Sequence, residues 1–178
     1  MMKNKQKCRG FSLVEAMLVV AIIGVLIAMA VPSYQDMIER NRLKQVVESL
    51  KSDLQFARTE AIKRSQNILI TRTPGEVGAW CYGLSAKAAC SCAQESATAT
   101  DYCEMKRVSG TDFNTINMDA AIGNNSSFSF RRGTIGADSV TFSTNKYTAR
   151  VVFSDVGRVR ICNPAASTGI SNYPICDT

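Results

Sequence analysis

The chain has 178 residues, 46% of them hydrophobic and 20% charged, a balance that suits a packed core and excludes wholesale disorder, a collagen repeat or a coiled-coil rod. It contains no histidine, so Ser-His-Asp and Cys-His catalytic pairs and His-ligated metals are excluded. The net charge of +6 is unevenly spread: residues 1–10 hold four basic residues and no acid, residues 76–125 hold three basic and six acidic, and residues 126–178 hold six basic and three acidic.

In chain order, Lys3, Lys5, Lys7 and Arg9 precede an apolar run over residues 11–31, and residues 16–31 carry no charge. The run approaches the ~20 residues that cross a bilayer as a helix. Basic residues lie before it and mixed charges after it, so the positive-inside bias places the N-terminus in the cytoplasm and the bulk outside. A secretory signal would have a shorter apolar core with its cleavage site after it. Here the boundary falls before the run, at Gly10-Phe11. Glu15 stands near the start of the apolar helix, where an unpaired acid costs a few kcal/mol. Either its carboxylate snorkels to the interface, or it meets a cation. Cleavage after Gly10 would create one, the α-amino group of Phe11 on this chain or a neighbour.

The segment Gly10-Phe11-Ser12-Leu13-Val14-Glu15, followed by the apolar helix, resembles the class III signal of type IV pilins and type II secretion pseudopilins. The resemblance implies that a prepilin peptidase cuts after Gly10 and methylates Phe11, and that Glu15 helps dock the subunit into a filament. It also implies an inner-membrane stage, single-pass with the C-terminal domain in the periplasm, then a place in a pilus at the cell surface.

Pro32 ends the apolar run and predicts a kink or a break. Beyond it, Leu43, Val47, Leu50, Leu54, Ala57 and Ala61 recur every three or four residues, one apolar stripe of an amphipathic helix. The pattern predicts a long helix over about residues 11–65. Strands are predicted over residues 67–72, 79–85, 102–109, 126–131, 140–143, 147–154 and 157–162, with a loop of small polar residues over 86–101. A long helix followed by short strands predicts an α+β fold, helix packed on antiparallel β-sheet, which is also the type IV pilin fold. The expected organisation is a leader over residues 1–10, a transmembrane and filament-core helix over 11–34, and a globular domain over 35–178.

Cys8 belongs to the leader; the other six cysteines would be exported and read as disulfides. Cys162 and Cys176 are the expected pair, closing a loop that holds Pro164, Gly169 and Pro174. Cys81, Cys90, Cys92 and Cys103 would staple the middle loop, with connectivity open. A four-cysteine zinc site is the alternative for them, and Cys-x-Cys is not the usual zinc spacing. No metal or cofactor is expected, and no catalytic constellation is recognisable.

The segment Ala57-Arg58-Thr59-Glu60-Ala61-Ile62-Lys63-Arg64, leading into a strand, resembles the FimT/GspH group of minor pilins and pseudopilins. Its charges read as a solvated helix face with a Glu60–Arg64 pair at i,i+4. In the C-terminal third, Gly157-Arg158-Val159-Arg160 places Arg158 and Arg160 on one face of a strand, with Val159 and Ile161 toward the core. Arg150 and Lys146 fall on the polar face of the preceding strand, and Arg131-Arg132 precede Gly133. Paired guanidinium groups hold phosphates bidentately. The Gly-Arg-x-Arg motif resembles that of FimT-type minor pilins. It implies binding of extracellular double-stranded DNA, without sequence preference, for uptake in natural transformation, beside other major and minor pilins. The alternative is a structural minor pilin or GspH-like pseudopilin that primes filament assembly without touching DNA.

Overall fold

The structure is a computed structural model and describes residues 11–87, 90–120 and 125–176. Residues 1–10, the expected leader with Cys8 and Gly10, lie outside the described residues. The chain divides into two compact units, residues 1–38 and 39–178.

The first unit is built on the N-terminal part of helix α1, Leu13–Arg64. Ser12 caps the helix start, its Oγ accepting the Glu15 N–H at 3.3 Å. Every side chain from 11 to 31 is exposed, and the helix is long and apolar enough to cross a membrane. α1 is continuous through position 32, so the proline expected there as a kink or break does not end it.

In the second unit α1 buries Leu43, Val46, Val47, Leu50, Leu54, Ala57 and Ala61. This is the stripe read from the sequence, with Val46 added. The helix ends on Ser65, whose φ of 53° is left-handed. The Gln66 N–H then reaches the Ala61 carbonyl at 3.1 Å and the Ser65 N–H the Ile62 carbonyl at 3.2 Å, which satisfies the last turn.

Two four-stranded antiparallel sheets follow, the antiparallel β-sheet on which the helix was expected to pack. Sheet A has the order β3-β2-β1-β5, from β1 (Ile68–Thr73), β2 (Cys81–Ser85), β3 (Lys106–Ser109) and β5 (Asn125–Phe128). Sheet B has the order β4-β6-β7-β8, from β4 (Asn117–Ala120), β6 (Asp138–Ser143), β7 (Thr148–Phe153) and β8 (Val159–Cys162). The strand expected over 126–131 stops at Phe128, because residues 129–134 turn back, with Gly133 N–H on the Ser129 carbonyl. β4 had no sequence signal, since Asn117 and Asp119 are poor strand formers. It forms because β6 pairs with it on one edge, while Gly75 and Met118 exchange both backbone bonds at 3.0 Å on the other.

The inward faces supply the core: Ile68 and Ile70 from β1, Tyr82 and Leu84 from β2, Val140 and Phe142 from β6, Ala149, Val151 and Phe153 from β7. Polar side chains join the helix and sheet A. The Tyr82 hydroxyl donates to Asp53 Oδ2 at 2.9 Å, and Lys106 Nζ meets Asp53 Oδ1 at 2.6 Å. Burial first, then the Asp53 charge, pushes the Tyr82 phenol well above its usual range.

β2 is buried on both faces because residues 90–105 fold over its outer side. Cys81–Cys92 and Cys90–Cys103 staple this loop, and Cys162–Cys176 closes the C-terminal one as expected. Loops of this size each contribute typically ~2–4 kcal/mol. A Cβ at Gly83 would stand 2.5 Å from Cys103 Sγ, so only glycine lets the bridge lie flat on the strand. The four sulfurs in the middle loop are bonded to one another, which overturns the zinc alternative.

Arg72 is the least expected core residue. It points inward from β1 at 1% exposure, with Nη2 2.6 Å from Ser126 Oγ on β5 and 2.7 Å from Asp138 Oδ2 on β6. Its guanidinium lies 5.3 Å from the centre of the Phe153 ring. Removing Asp138 would leave this cation buried without its counter-charge. Asp138→Ala is expected to lower unfolding free energy by about 3–5 kcal/mol, read by urea denaturation of the oxidised protein.

Candidate nucleic-acid interface

The basic residues singled out by sequence lie at the ends and on the outer face of sheet B. β7 and β8 form a hairpin through residues 154–158, in which Gly157 has φ 76°. Its backbone is closed by Gly157 N–H to Ser154 O at 2.8 Å, Ser154 N–H to Arg158 O at 3.0 Å, and Arg158 N–H to Ser154 Oγ at 3.3 Å. The left-handed geometry needs glycine at 157. Arg158 follows it, exposed. Arg160 is exposed on β8 opposite Val152, while Ile161 is buried, as the alternation of a strand dictates.

A second turn meets this hairpin. Residues 129–134 carry Arg131 and Arg132, both exposed, then Gly133 at φ 61°. A Cβ on Gly157 would collide with the Gly133 carbonyl oxygen, and the Ile135 N–H donates to the Asp155 carbonyl at 3.2 Å. Arg132 and Arg158 each adjoin one of these touching glycines, so their Cα atoms stand within about 14 Å. Arg131 extends over the Phe130 ring at 5.7 Å. Both turns rest on α1: Arg58 Nη1 donates to the Gly157 carbonyl at 3.3 Å, and Arg58 Nε would be 2.9 Å from a Cβ on Gly133.

Arg150 lies on the same outer face, opposite Cys162, with its Nε donating to Thr141 Oγ1 at 3.0 Å. The structure thus brings Arg131, Arg132 and Arg158 to the hairpin end of sheet B, with Arg160 and then Arg150 farther along its outer face. Lys146 is set apart. It sits in the β6–β7 turn, where its N–H meets Thr144 Oγ1, six residues or ~20 Å along the strand from Val152.

Two acids temper the surface. Asp155 is exposed in the hairpin, with its Oδ1 accepting the Val156 N–H. Asp119 is exposed on β4 and falls in register with Thr141 and Arg150, about 10 Å from the latter across two strand spacings. Sequence proximity could not reveal Asp119, because β4 reaches this face by pairing alone.

The charges at the helix end depart from the expected solvated face. Arg58 is half-buried beneath the two turns, and Glu60 is only 8% exposed. The Glu60–Arg64 pair does form, at 2.6 Å, with Lys63 at 3.4 Å. Arg64 holds the Glu60 carboxyl below its usual range. At the other end of the chain, Phe11 is exposed and Glu15 lies in the first turn of α1.

Comparison with known proteins places this arrangement in a class. Residues 5–31 match the prokaryotic N-terminal methylation motif, and residues 46–169 match the model of the type II transport protein GspH family. A fimbrial protein of Pseudomonas aeruginosa is 42% identical over 66 residues, covering 37% of this chain. The type IV major fimbrial protein FimA of Dichelobacter nodosus is 52% identical over 46 residues, covering 26% of it. The chain spans 42% and 28% of those two relatives. The type IV minor pilin FimU of Pseudomonas aeruginosa shares the fold, with a TM-score of 0.52 at 19% identity over 72% of this chain and 93% of that one. An N-terminal methylation motif ahead of a GspH-type domain defines the class. The chain belongs to the GspH family.

Two outcomes follow from this geometry. Gly157→Ala should cost about 1–3 kcal/mol, from the left-handed backbone and the collision with Gly133, as read by thermal unfolding. In a carboxyl-carbon NMR titration, Glu60 should have a midpoint below the usual glutamate range, and Arg64→Gln should move it up. The folded pKa is depressed, so the stability this pair adds is present above the unfolded-state value and is lost as pH falls through the folded one.

Proposed function

We propose that this chain is a minor type IV pilin that binds extracellular double-stranded DNA, without sequence preference, for uptake in natural transformation. A prepilin peptidase cuts after Gly10 and methylates Phe11. Residues 11–34 hold the subunit in the inner membrane with residues 35–178 in the periplasm. Glu15 then docks it among major and minor pilins in a surface pilus. Arg158 and Arg160 are the main phosphate ligands, Arg131, Arg132 and Arg150 support them, and Lys146 serves only a long duplex that reaches the far end of the sheet.

The observation that carries the reading is the meeting of the two arginine turns at Gly133 and Gly157. Residues far apart in sequence thereby present several guanidinium groups on one surface. Such groups hold a phosphate backbone and position it without reading bases. A structural minor pilin or pseudopilin remains the second reading, favoured by Asp119 and Asp155 on or beside the same surface, where they would repel phosphate.

The test is a fluorescence-anisotropy titration of a labelled duplex with the full-length oxidised chain in neutral detergent, at several salt concentrations. With four neutralised phosphates, log K should fall with log salt at a slope of about −3.6. The variant Arg158→Gln/Arg160→Gln should weaken binding roughly ten-fold or more and reduce the slope to about −1.8. No binding by the wild-type protein at low salt would leave filament assembly as the function.

A further inference from the structure

Arg58 is separated from the basic turns by about 75 and 99 residues of sequence, yet it touches both. It sits on the second half of α1, one turn before Ile62, and the helix around it is anchored by buried Ala57 and Ala61. Its position is therefore set by the core. Its side chain, half-buried, crosses beneath both glycines. At Gly133 a Cβ would stand 2.9 Å from Arg58 Nε and 3.1 Å from Ile62 Cδ1. At Gly157 it would stand 3.2 Å from Arg58 Nε and 3.4 Å from Cζ. Neither turn has a side chain at its point of contact, so a flat guanidinium fits beneath both.

We propose that Arg58 is the positioning residue of the basic surface: its guanidinium is the seat that holds the 129–134 turn and the 154–158 hairpin together and sets the spacing of their arginines. The bonds within the hairpin fix its local shape but not its place relative to the other turn. The Ile135–Asp155 backbone bond, the glycine contact and Arg58 join the two turns directly. The bond from Arg58 to the Gly157 carbonyl also holds the peptide unit from which Arg158 starts. Phosphate contacts depend on the spacing of several cations, so a loosened seat lowers affinity even with every surface arginine present. Lysine keeps the charge but not the planar fork, so it does not replace the seat.

The consequence for DNA rests on the function proposed above; the seat itself does not. The experiment pairs amide hydrogen exchange by mass spectrometry with DNA anisotropy, on the full-length oxidised chain in neutral detergent, for wild type, Arg58→Lys, Arg58→Ala and Gly133→Ala. Gly133→Ala disturbs the seat while leaving Arg58 in the chain. Expected are exchange rates raised about ten-fold or more in peptides covering 129–137 and 154–160 in all three variants, with β1 and β2 unchanged. DNA affinity should fall about five-fold or more, as much in Arg58→Lys as in Arg58→Ala.

Wild-type exchange and affinity in Arg58→Lys would overturn the proposal, since charge alone would then suffice. Faster exchange throughout both sheets would also overturn it, making Arg58 a general core residue. Loosened turns with unchanged affinity would refute the positioning role. If the wild-type chain binds no DNA while the turns still loosen in the variants, the seat stands and the DNA reading fails.

Discussion

The buried Arg72–Asp138 pair is the constraint on which the arrangement of this domain depends. Arg72 belongs to sheet A, and Asp138 and Phe153 are cross-strand partners in sheet B. One guanidinium therefore meets both members of a pair at the end of β6 and β7, and also Ser126 on β5. The two chain segments that leave this point are the 129–134 turn, after β5, and the 154–158 hairpin, after β7. The pair thus registers the two sheets where the basic turns emerge. It is not a fully satisfied pair, since Arg72 Nε and Nη1 find no hydrogen-bond partner among the described residues. Its role is better understood as choosing one relative placement of the sheets than as maximising stability.

The second part of α1 serves both packing and placement. Its apolar stripe contributes the core, and its polar positions reach outward to fix elements that have little apolar content. Asp53 takes Tyr82 and Lys106, Glu48 takes the Tyr173 hydroxyl at 2.8 Å, and Arg58 takes the Gly157 carbonyl. Tyr173 lies in the loop closed by Cys162–Cys176, and its phenol is pushed upward by burial and by the Glu48 carboxylate. The disulfides act where this help is missing. Residues 90–105 have few large apolar side chains, so two bridges and the Arg107 bond to the Cys92 carbonyl hold them on sheet A.

The outer end of sheet B combines exposed guanidinium groups with a rigid backbone beneath them. Arginines on mobile loops would lose conformational freedom on meeting a phosphate backbone, whereas arginines on a closed hairpin and a glycine-pinned turn lose less. Asp119 and Asp155 limit the positive field of this surface.

The N-terminal motif, the apolar run, the stripe from Leu43 to Ala61 and the alternation around Val159 and Ile161 were legible in the sequence alone. Each rests on local periodicity or on a short contiguous pattern. The even set of six cysteines beyond the apolar run read as disulfides, and the loop with Pro164, Gly169 and Pro174 that Cys162 and Cys176 would close singled out that pair. What the tertiary structure decided is of another kind. The division into two sheets, the strand at 117–120, the pairing of the four middle cysteines and the burial of Arg72 and Glu60 depend on partners far away in the chain. The same holds for Arg58, whose charge reads as solvated on a helix in isolation and becomes a support only when two glycines from distant turns are folded over it.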